Sequence, residues 1–271
     1  MRSYLRRRKR FPWELLLAFA LPFLIAAAGT SAVSVRQARG AAFVHPGTTL
    51  VKPRPGMYFR TLPPGARLPR QDARCAKLVT RRRWEPRPDN VAANHTVVSG
   101  LVHWPMTEAQ LHWRRWIAKR SRVTGRYTGR TDEIIRWAAC KWGLDENVLR
   151  AVAVKESGWH QNFVGDAGAS FGLMQIKDHY GNGTLDLGGF PWTQLSTALA
   201  ADFYSTWIRS CLDGDFYDGG PWLYGGKRVR GDLWGCVGAW YSGDWYSGGA
   251  VAYISDVKRY LANRAWRHLG T

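Results

Sequence analysis

The stretch from Leu144 to Ile176, LDENVLRAVAVKESGWHQNFVGDAGASFGLMQI, decides the fold. It begins as an amphipathic helix, continues through a polar loop that contains glycine, and ends in the run FGLMQI. Near the end of the helix, Glu156 falls on the apolar side, because apolar residues precede it by eight, seven, four and three positions. These residues are Val148, Leu149, Val152 and Ala153.

A carboxyl group on an apolar helix face loses hydration, which disfavours its charged form and raises its pKa. An acid that stays protonated near neutral pH can protonate the oxygen of a glycosidic bond. The other interpretation of Glu156 is a structural ion pair with Lys or Arg at the helix end. Helical spacing alone leaves both interpretations open.

The positive charge of the chain belongs to its first half. Residues 1–130 contain 26 Lys and Arg against 5 Asp and Glu, a net charge of +21, whereas residues 131–271 contain 13 against 15, a net charge of −2. Such a basic region attracts polyanions, and we expect anionic cell-wall polymers or a membrane surface as its partners. The absence of a zinc-finger or RNA-binding motif argues against nucleic acid.

The N-terminus has the order of an export signal. The basic segment MRSYLRRRKR precedes an apolar run over 15–28, and Thr30-Ser31-Ala32 offers a cleavage site. We therefore assign 1–32 to a signal peptide or to an N-terminal membrane anchor over 13–29. Either assignment predicts an exported protein of the cell wall, the periplasm or the extracellular space.

In an exported protein the four cysteines can form disulfides. Their number is even and they lack the close pairs of a zinc site, so two disulfides are the economical interpretation. Of the three possible connectivities, we favour Cys211–Cys236 together with Cys75–Cys140. Four buried thiols are the alternative.

The chain divides into a basic, Pro- and Arg-rich accessory region over 33–130, partly disordered, and a helical domain over 131–267. Helix signals begin at Thr107, Thr131 and Asp145, and further helices are expected over about 193–211, 232–241 and 250–264. Strand signals are almost absent from the second half. The predicted fold class is therefore mainly α.

The pair Glu156-Ser157, followed by Ser170 and by Gly-Leu-Met-Gln over 172–175, resembles the catalytic core of the soluble lytic transglycosylases. The resemblance covers roughly 131–265 and implies a lysozyme-like fold. It also implies cleavage of the MurNAc–GlcNAc β-1,4 bond of peptidoglycan, with formation of 1,6-anhydro-MurNAc. No metal or cofactor motif is visible in the sequence, and this chemistry needs none.

The resemblance also implies roles for individual residues. Glu156 would act as general acid and then as general base. Ser170 and Gln175 would orient the sugar N-acetyl group and the glutamate, and Met174 would form an apolar wall of a sugar subsite. For Ser170 a hydrogen bond within the loop, and for Met174 plain core packing, are the alternatives.

The chain departs from the family at Ala239-Trp240-Tyr241-Ser242-Gly243, where the family usually has Ala-Tyr-Asn-x-Gly. Trp240 takes the position of the tyrosine and Tyr241 that of the asparagine. We expect both to bind substrate, Trp240 by stacking on a sugar ring. Tyr241 would bring a hydroxyl near Glu156 only after a local shift of the helix.

Two other functions stay open. Goose-type lysozymes resemble the same core, and Asp166 matches the aspartate with which they position water, although it could equally be a turn residue. Their second aspartate has no match, since Lys177 stands there. A non-catalytic wall-binding protein is the third hypothesis, and an intact Glu156 argues against it.

Overall fold

The computed structural model of the protein describes residues 54–98, 114–177, 191–217 and 230–270, and these contain nine α-helices. In chain order they are α1 Asp72–Leu78, α2 Val91–His95, α3 Arg114–Arg120, α4 Thr131–Trp142, α5 Glu146–Ser157, α6 Trp192–Leu195, α7 Thr197–Asp213, α8 Leu233–Ser242 and α9 Gly248–Ala262. Short 3-10 helices cover Pro88–Asn90, Asp166–Gly168, Asp215–Tyr217 and Ala265–His268. The prediction of a mainly helical fold is confirmed.

Helix α5 begins where its sequence predicts, at the cap residue Asp145. Asp145 Oδ1 accepts hydrogen bonds from the backbone N–H groups of Asn147 and Val148, at 2.9 and 3.2 Å, as an N-cap does. Gly158 ends the helix at φ 58°, in the left-handed region that favours glycine. These two signals place Glu156 in the last turn of α5.

The sequence predicts Thr131 as the N-cap of helix α4, and this prediction is wrong. The N-cap is Arg130, and the Glu133 side chain accepts a hydrogen bond from the Arg130 N–H at 3.2 Å. The Thr131 hydroxyl is engaged elsewhere, because it accepts a hydrogen bond from Asn90 Nδ2 at 3.0 Å. The Thr131 side chain, which the local sequence predicts as the cap, is thus bound by Asn90 of the accessory region instead.

Helix α9 packs against both α8 and α5, and α7 packs against α4. The close approach of α8 and α9 depends on Gly238, where a Cβ atom would lie only 2.8 Å from Ile254 Cδ1. The largest apolar side chains buried between the helices are Trp137, Trp142, Trp159, Tyr204, Phe203, Ile134, Ile135, Leu144, Leu149 and Leu173. This packing brings side chains of α8 and α9 to the C-terminal end of α5.

A small antiparallel sheet, in the order β1-β2-β3, follows α5 and was not expected from the sequence. Its strands are β1 Val164–Gly165, β2 Ser170–Phe171 and β3 Ile176–Lys177. Gly165 pairs with Ser170, and Ser170 pairs with Lys177. Strands of two residues are too short to produce an alternating apolar pattern, so periodicity could not predict them.

The described part of the accessory region packs on the helical domain, and residues 52–271 form one compact unit. Helix α1 contacts α4, where the disulfide Cys75–Cys140 joins them with a Cα–Cα distance of 5.7 Å. The second disulfide is Cys211–Cys236, at 5.8 Å. Both favoured pairings are therefore present in the structure.

The predicted signal peptide or anchor over 1–32 and the helix start at Thr107 lie outside the described residues. Among the residues that are described, no helix combines the length and the apolar character needed to cross a membrane. The domain boundary at 130/131 stays a prediction.

Candidate active site

Glu156 lies in the last turn of α5 and receives two hydrogen bonds from neighbouring helices. The Tyr253 hydroxyl, on α9, donates to Glu156 Oε1. The indole N–H of Trp240, on α8, also donates to the carboxylate. Part of the glutamate side chain remains open to solvent, although protein atoms surround the carboxyl group on most sides. The carboxylate is thus held between two uncharged donors. Among the described residues it forms no ion pair with Lys or Arg, which was its alternative interpretation.

The pKa of Glu156 is raised to about 7, and burial is the largest cause of this shift. The hydrogen bonds from Tyr253 and Trp240 act in the opposite direction, because they favour the charged form. The negative charge of Asp166 raises the pKa further, and the positive charge of Lys155 lowers it. A substantial fraction of Glu156 is therefore protonated at neutral pH, as a general acid requires.

The serine that follows the glutamate fixes the Gly-Leu-Met-Gln run to α5. Ser157 Oγ donates to the carbonyl oxygen of Leu173 at 2.9 Å. On the other side, Gln161 Oε1 accepts a hydrogen bond from the Leu173 N–H, also at 2.9 Å. Both backbone groups of Leu173 are therefore bound by side chains of the central stretch, and the run is held at the end of the glutamate helix.

The buried Gln161 is anchored in turn by the accessory region. Its backbone N–H donates to Asn90 Oδ1 at 2.7 Å, and Asn90 Nδ2 donates to the carbonyl oxygen of Trp159 at 2.6 Å. Gln161 Nε2 also donates to the carbonyl oxygen of Thr193, at 2.7 Å. Sequence reasoning assigned no chemistry to residues near Asn90, yet this asparagine supports the loop that carries the site.

Ser170 and Asp166 contact each other in the turn beside the sheet. Ser170 Oγ donates to Asp166 Oδ2 at 2.7 Å, and Lys177 Nζ lies 2.7 Å from the same oxygen. The hydrogen bond from Lys177, followed by that from Ser170, holds the pKa of Asp166 below its usual value. Asp166 is therefore a charged carboxylate, and Oδ1 has no partner among the described residues.

Gln175 and Met174 both point towards protein. Gln175 Nε2 donates to the carbonyl oxygens of Phe163 and Gly172, at 3.1 and 3.0 Å, so its amide braces the loop. Met174 is fully buried, in contact with the hydrophobic core. In this conformation it packs as a core residue, and its role in a sugar subsite stays a prediction.

Trp240 and Tyr241 have different neighbours in the structure. Trp240 stands edge-on to Tyr204, with ring centroids 4.8 Å apart, and reaches Glu156. Tyr241 is 56% exposed, and its ring stacks on that of Tyr253 at 4.9 Å. The hydroxyl next to Glu156 therefore comes from Tyr253, and the local helix shift considered for Tyr241 is not needed.

Tyr253 could not be found from the sequence because it is 97 positions from Glu156. It lies in a helix that was predicted from its apolar residues alone, with no functional residue assigned to it. Sequence reasoning also missed Tyr204, a buried tyrosine whose pKa is raised by burial and then by the charge of Glu156. Within the described ranges, no group of three or more His, Cys, Asp or Glu is arranged to hold a metal ion.

Residues 133–188 match the family model described as the transglycosylase SLT domain. No curated protein matches the chain. The matched segment contains Glu156, Ser157, Ser170 and the whole Gly-Leu-Met-Gln run. The match supports a peptidoglycan-cleaving function at the level of the family, and peptidoglycan as the substrate. Over these residues the chain is similar to the transglycosylase SLT domain, a family of the lysozyme-like superfamily.

Proposed function

We propose that the protein is a lytic transglycosylase that cleaves the MurNAc–GlcNAc β-1,4 bond of peptidoglycan and forms 1,6-anhydro-MurNAc. The observation that carries this proposal is the state of Glu156: burial raises its pKa to about 7, and two uncharged donors contact its carboxylate. A group with this pKa can give up and take back a proton near neutral pH.

In the first step, protonated Glu156 gives its proton to the glycosidic oxygen. The bond between that oxygen and C1 of MurNAc breaks, and the GlcNAc side leaves as an alcohol. The developing Glu156 carboxylate is stabilised by the hydrogen bonds from Tyr253 and Trp240.

In the second step, the Glu156 carboxylate takes the proton of the C6 hydroxyl of MurNAc. The C6 oxygen then forms a bond to C1, which closes the 1,6-anhydro ring and returns Glu156 to its protonated state. No water is consumed, and one carboxyl group suffices for both steps.

Five residues are proposed to bind the glycan strand: Ser170, Met174, Gln175, Trp240 and Tyr241. The exposed ring of Tyr241 supports this for one of them, because aromatic faces pack on sugar rings. For Ser170 and Gln175, the hydrogen bonds to Asp166 and to the loop backbone support an indirect role, in which they keep the loop in place. The disulfides are compatible with export, and we propose that residues 1–32 direct it.

The deciding experiment is digestion of purified peptidoglycan followed by mass spectrometry of the products. Anhydro ends, lighter than reducing ends by one water, are expected from the wild-type protein and not from Glu156→Gln. Asp244→Asn, which makes the same carboxyl-to-amide change at an exposed position, is the matched control and should retain activity. Full activity of Glu156→Gln would remove this residue from the mechanism, and no product from the wild type would favour a wall-binding protein.

Hydrolysis of the same bond, as in goose-type lysozymes, is the second candidate function. It is favoured by Asp166, whose charge acts on Glu156 and whose Oδ1 could accept a hydrogen bond from an attacking water. Against it stands the engagement of Oδ2 by Lys177 and Ser170. Reducing ends that disappear in Asp166→Asn would establish hydrolysis, whereas anhydro ends from both proteins would exclude this role for Asp166.

A further inference from the structure

The structure contains a cavity of about 720 Å³ whose lining does not include Glu156. Its charged lining comes from the accessory region, from the starts of α4 and α5 and from the 3-10 helix Ala265–His268 with the residue before it. We call it the arginine cavity, after the residues Arg60, Arg82, Arg150, Arg264 and Arg267 in its lining.

The arginine cavity is separate from the candidate active site. Arg150 precedes Glu156 by six residues on α5, which corresponds to about 9 Å along the helix axis and about 120° around it. Neither Glu156 nor the two donors that contact it, Tyr253 and Trp240, belong to the lining. The residues proposed to carry out glycan cleavage therefore do not line this cavity.

The carboxylates in the cavity already have partners. Asp132 Oδ1 lies 2.6 Å from Arg150 Nε, and Glu146 Oε1 lies 2.9 Å from Arg150 Nη1. Asp145 accepts a hydrogen bond from the Tyr58 hydroxyl at 2.6 Å and also caps α5. All three carboxylates of the lining are thus bound by donors of the protein itself.

The other four arginines of the lining are exposed, and among the described residues none of them pairs with a carboxylate. Arg60 lies over the ring of Tyr58, with its guanidinium carbon 5.5 Å from the ring centroid. Five arginines against three carboxylates leave the lining with an excess of two positive charges. A concave surface with a net positive charge attracts anions, and the planar guanidinium group binds phosphate through two parallel hydrogen bonds.

Aromatic side chains in the lining further restrict the chemical class of ligand that fits the cavity. Trp84 and Tyr58, both in the lining, are 39% and 38% exposed. Their rings can pack on sugar or polyol units that lie between charged groups. A lipid surface would instead require apolar side chains on a protruding face beside the basic ones, and these rings lie within a cavity.

We propose that the arginine cavity binds the phosphodiester groups of an anionic cell-wall polymer. From the sequence, an anionic cell-wall polymer was predicted as a partner only of the basic first half of the chain. The cavity gives that partner a defined binding site. Its exposed positive charges come both from the accessory region, at Arg60 and Arg82, and from the C-terminal segment, at Arg264 and Arg267. Binding there would hold the enzyme at the wall independently of the chemistry at Glu156.

The test compares two triple variants of the full chain for binding of poly(glycerol phosphate) oligomers by calorimetry at fixed salt. The cavity variant is Arg60→Gln, Arg82→Gln and Arg267→Gln. The control variant, Arg67→Gln, Arg74→Gln and Arg126→Gln, removes the same charge from exposed arginines outside the cavity. Residues 1–53 are unchanged in both, so any attraction due to them cancels in the comparison.

The cavity variant should raise the Kd for the oligomers about tenfold or more, because it loses several charge-assisted hydrogen bonds, and the control variant by less than about threefold. Equal weakening by both variants would overturn the proposal, since it would show that only total charge matters. Binding to phosphatidylglycerol vesicles but not to the oligomers would overturn the polymer as ligand.

Cleavage of glycan strands that contain no phosphodiester, measured with the cavity variant, tests the proposed function separately. Those strands should be cleaved at the wild-type rate, because no substituted residue lies at the candidate active site.

Discussion

Removal of the Tyr253 hydroxyl, by Tyr253→Phe, should raise the pKa of Glu156. The hydroxyl donates to Glu156 Oε1 and therefore favours the charged carboxylate. Burial raises the pKa of Tyr253 itself well above its usual value, so the hydroxyl keeps its proton and remains a donor across the working pH range. Phenylalanine preserves the ring that packs between α5 and α9 and removes only this donor.

The size of the effect follows from the energy of the lost bond. A hydrogen bond to a charged group contributes about 1.5–3 kcal/mol, and one pKa unit corresponds to about 1.36 kcal/mol. The pKa of Glu156, about 7 in the native protein, should therefore rise by about one to two units. Since the general acid must be protonated, the alkaline limb of the pH profile should move to higher pH by the same amount.

The assay is the pH dependence of kcat/KM on soluble glycan strands, because this quantity reports the pKa of the free enzyme. Carbon NMR of the labelled Glu156 carboxyl group gives the same pKa without turnover. Tyr241→Phe is the matched control: its ring stacks on Tyr253, but Tyr253 is the tyrosine whose hydroxyl contacts the glutamate. It should leave the position of the limb unchanged, whatever its effect on the rate. A limb that stays in place or moves to lower pH in Tyr253→Phe would refute the reasoning.

Three further predictions concern stability. Glu156→Gln should raise the melting temperature at pH 8 but not at pH 4. The native pKa of about 7 exceeds the unfolded value, so the stability that protonated Glu156 contributes at low pH is lost as pH rises through 7, by at most about 3.4 kcal/mol. Ser157→Ala should cost about 1–2 kcal/mol in urea denaturation and speed hydrogen exchange around Leu173, whose carbonyl loses its buried donor; unchanged exchange would contradict this role. Removal of the Cys75–Cys140 disulfide by serine substitution of both residues should lower the free energy of unfolding by about 4 kcal/mol in the chain-entropy model, and a loss below about 1 kcal/mol would show that the accessory region is not held through this bond.

Much of the site could be predicted from sequence because its parts are local. The cap at Asp145, the stop at Gly158 and the apolar spacing before Glu156 set the position of the glutamate in the last turn of α5. The distance from Ser157 to the Gly-Leu-Met-Gln run is short enough that one serine hydroxyl joins helix and loop. Local signals of this kind depend on a few neighbouring dihedral angles, so they can be read from sequence where no tertiary contact competes for the same side chain.

The donors around Glu156 were decided by tertiary packing alone. Tyr253 reaches the carboxylate because α9 lies against α5, and Gly238 lets α8 approach α9 closely enough for Trp240 to do the same. Periodicity shows which side of a helix is buried, but which side chain meets which depends on the rotation and spacing of the packed helices. The position where the chain departs from the transglycosylase pattern could therefore be interpreted only in three dimensions: Trp240 donates to the glutamate, and the tyrosine hydroxyl comes from the last described α-helix.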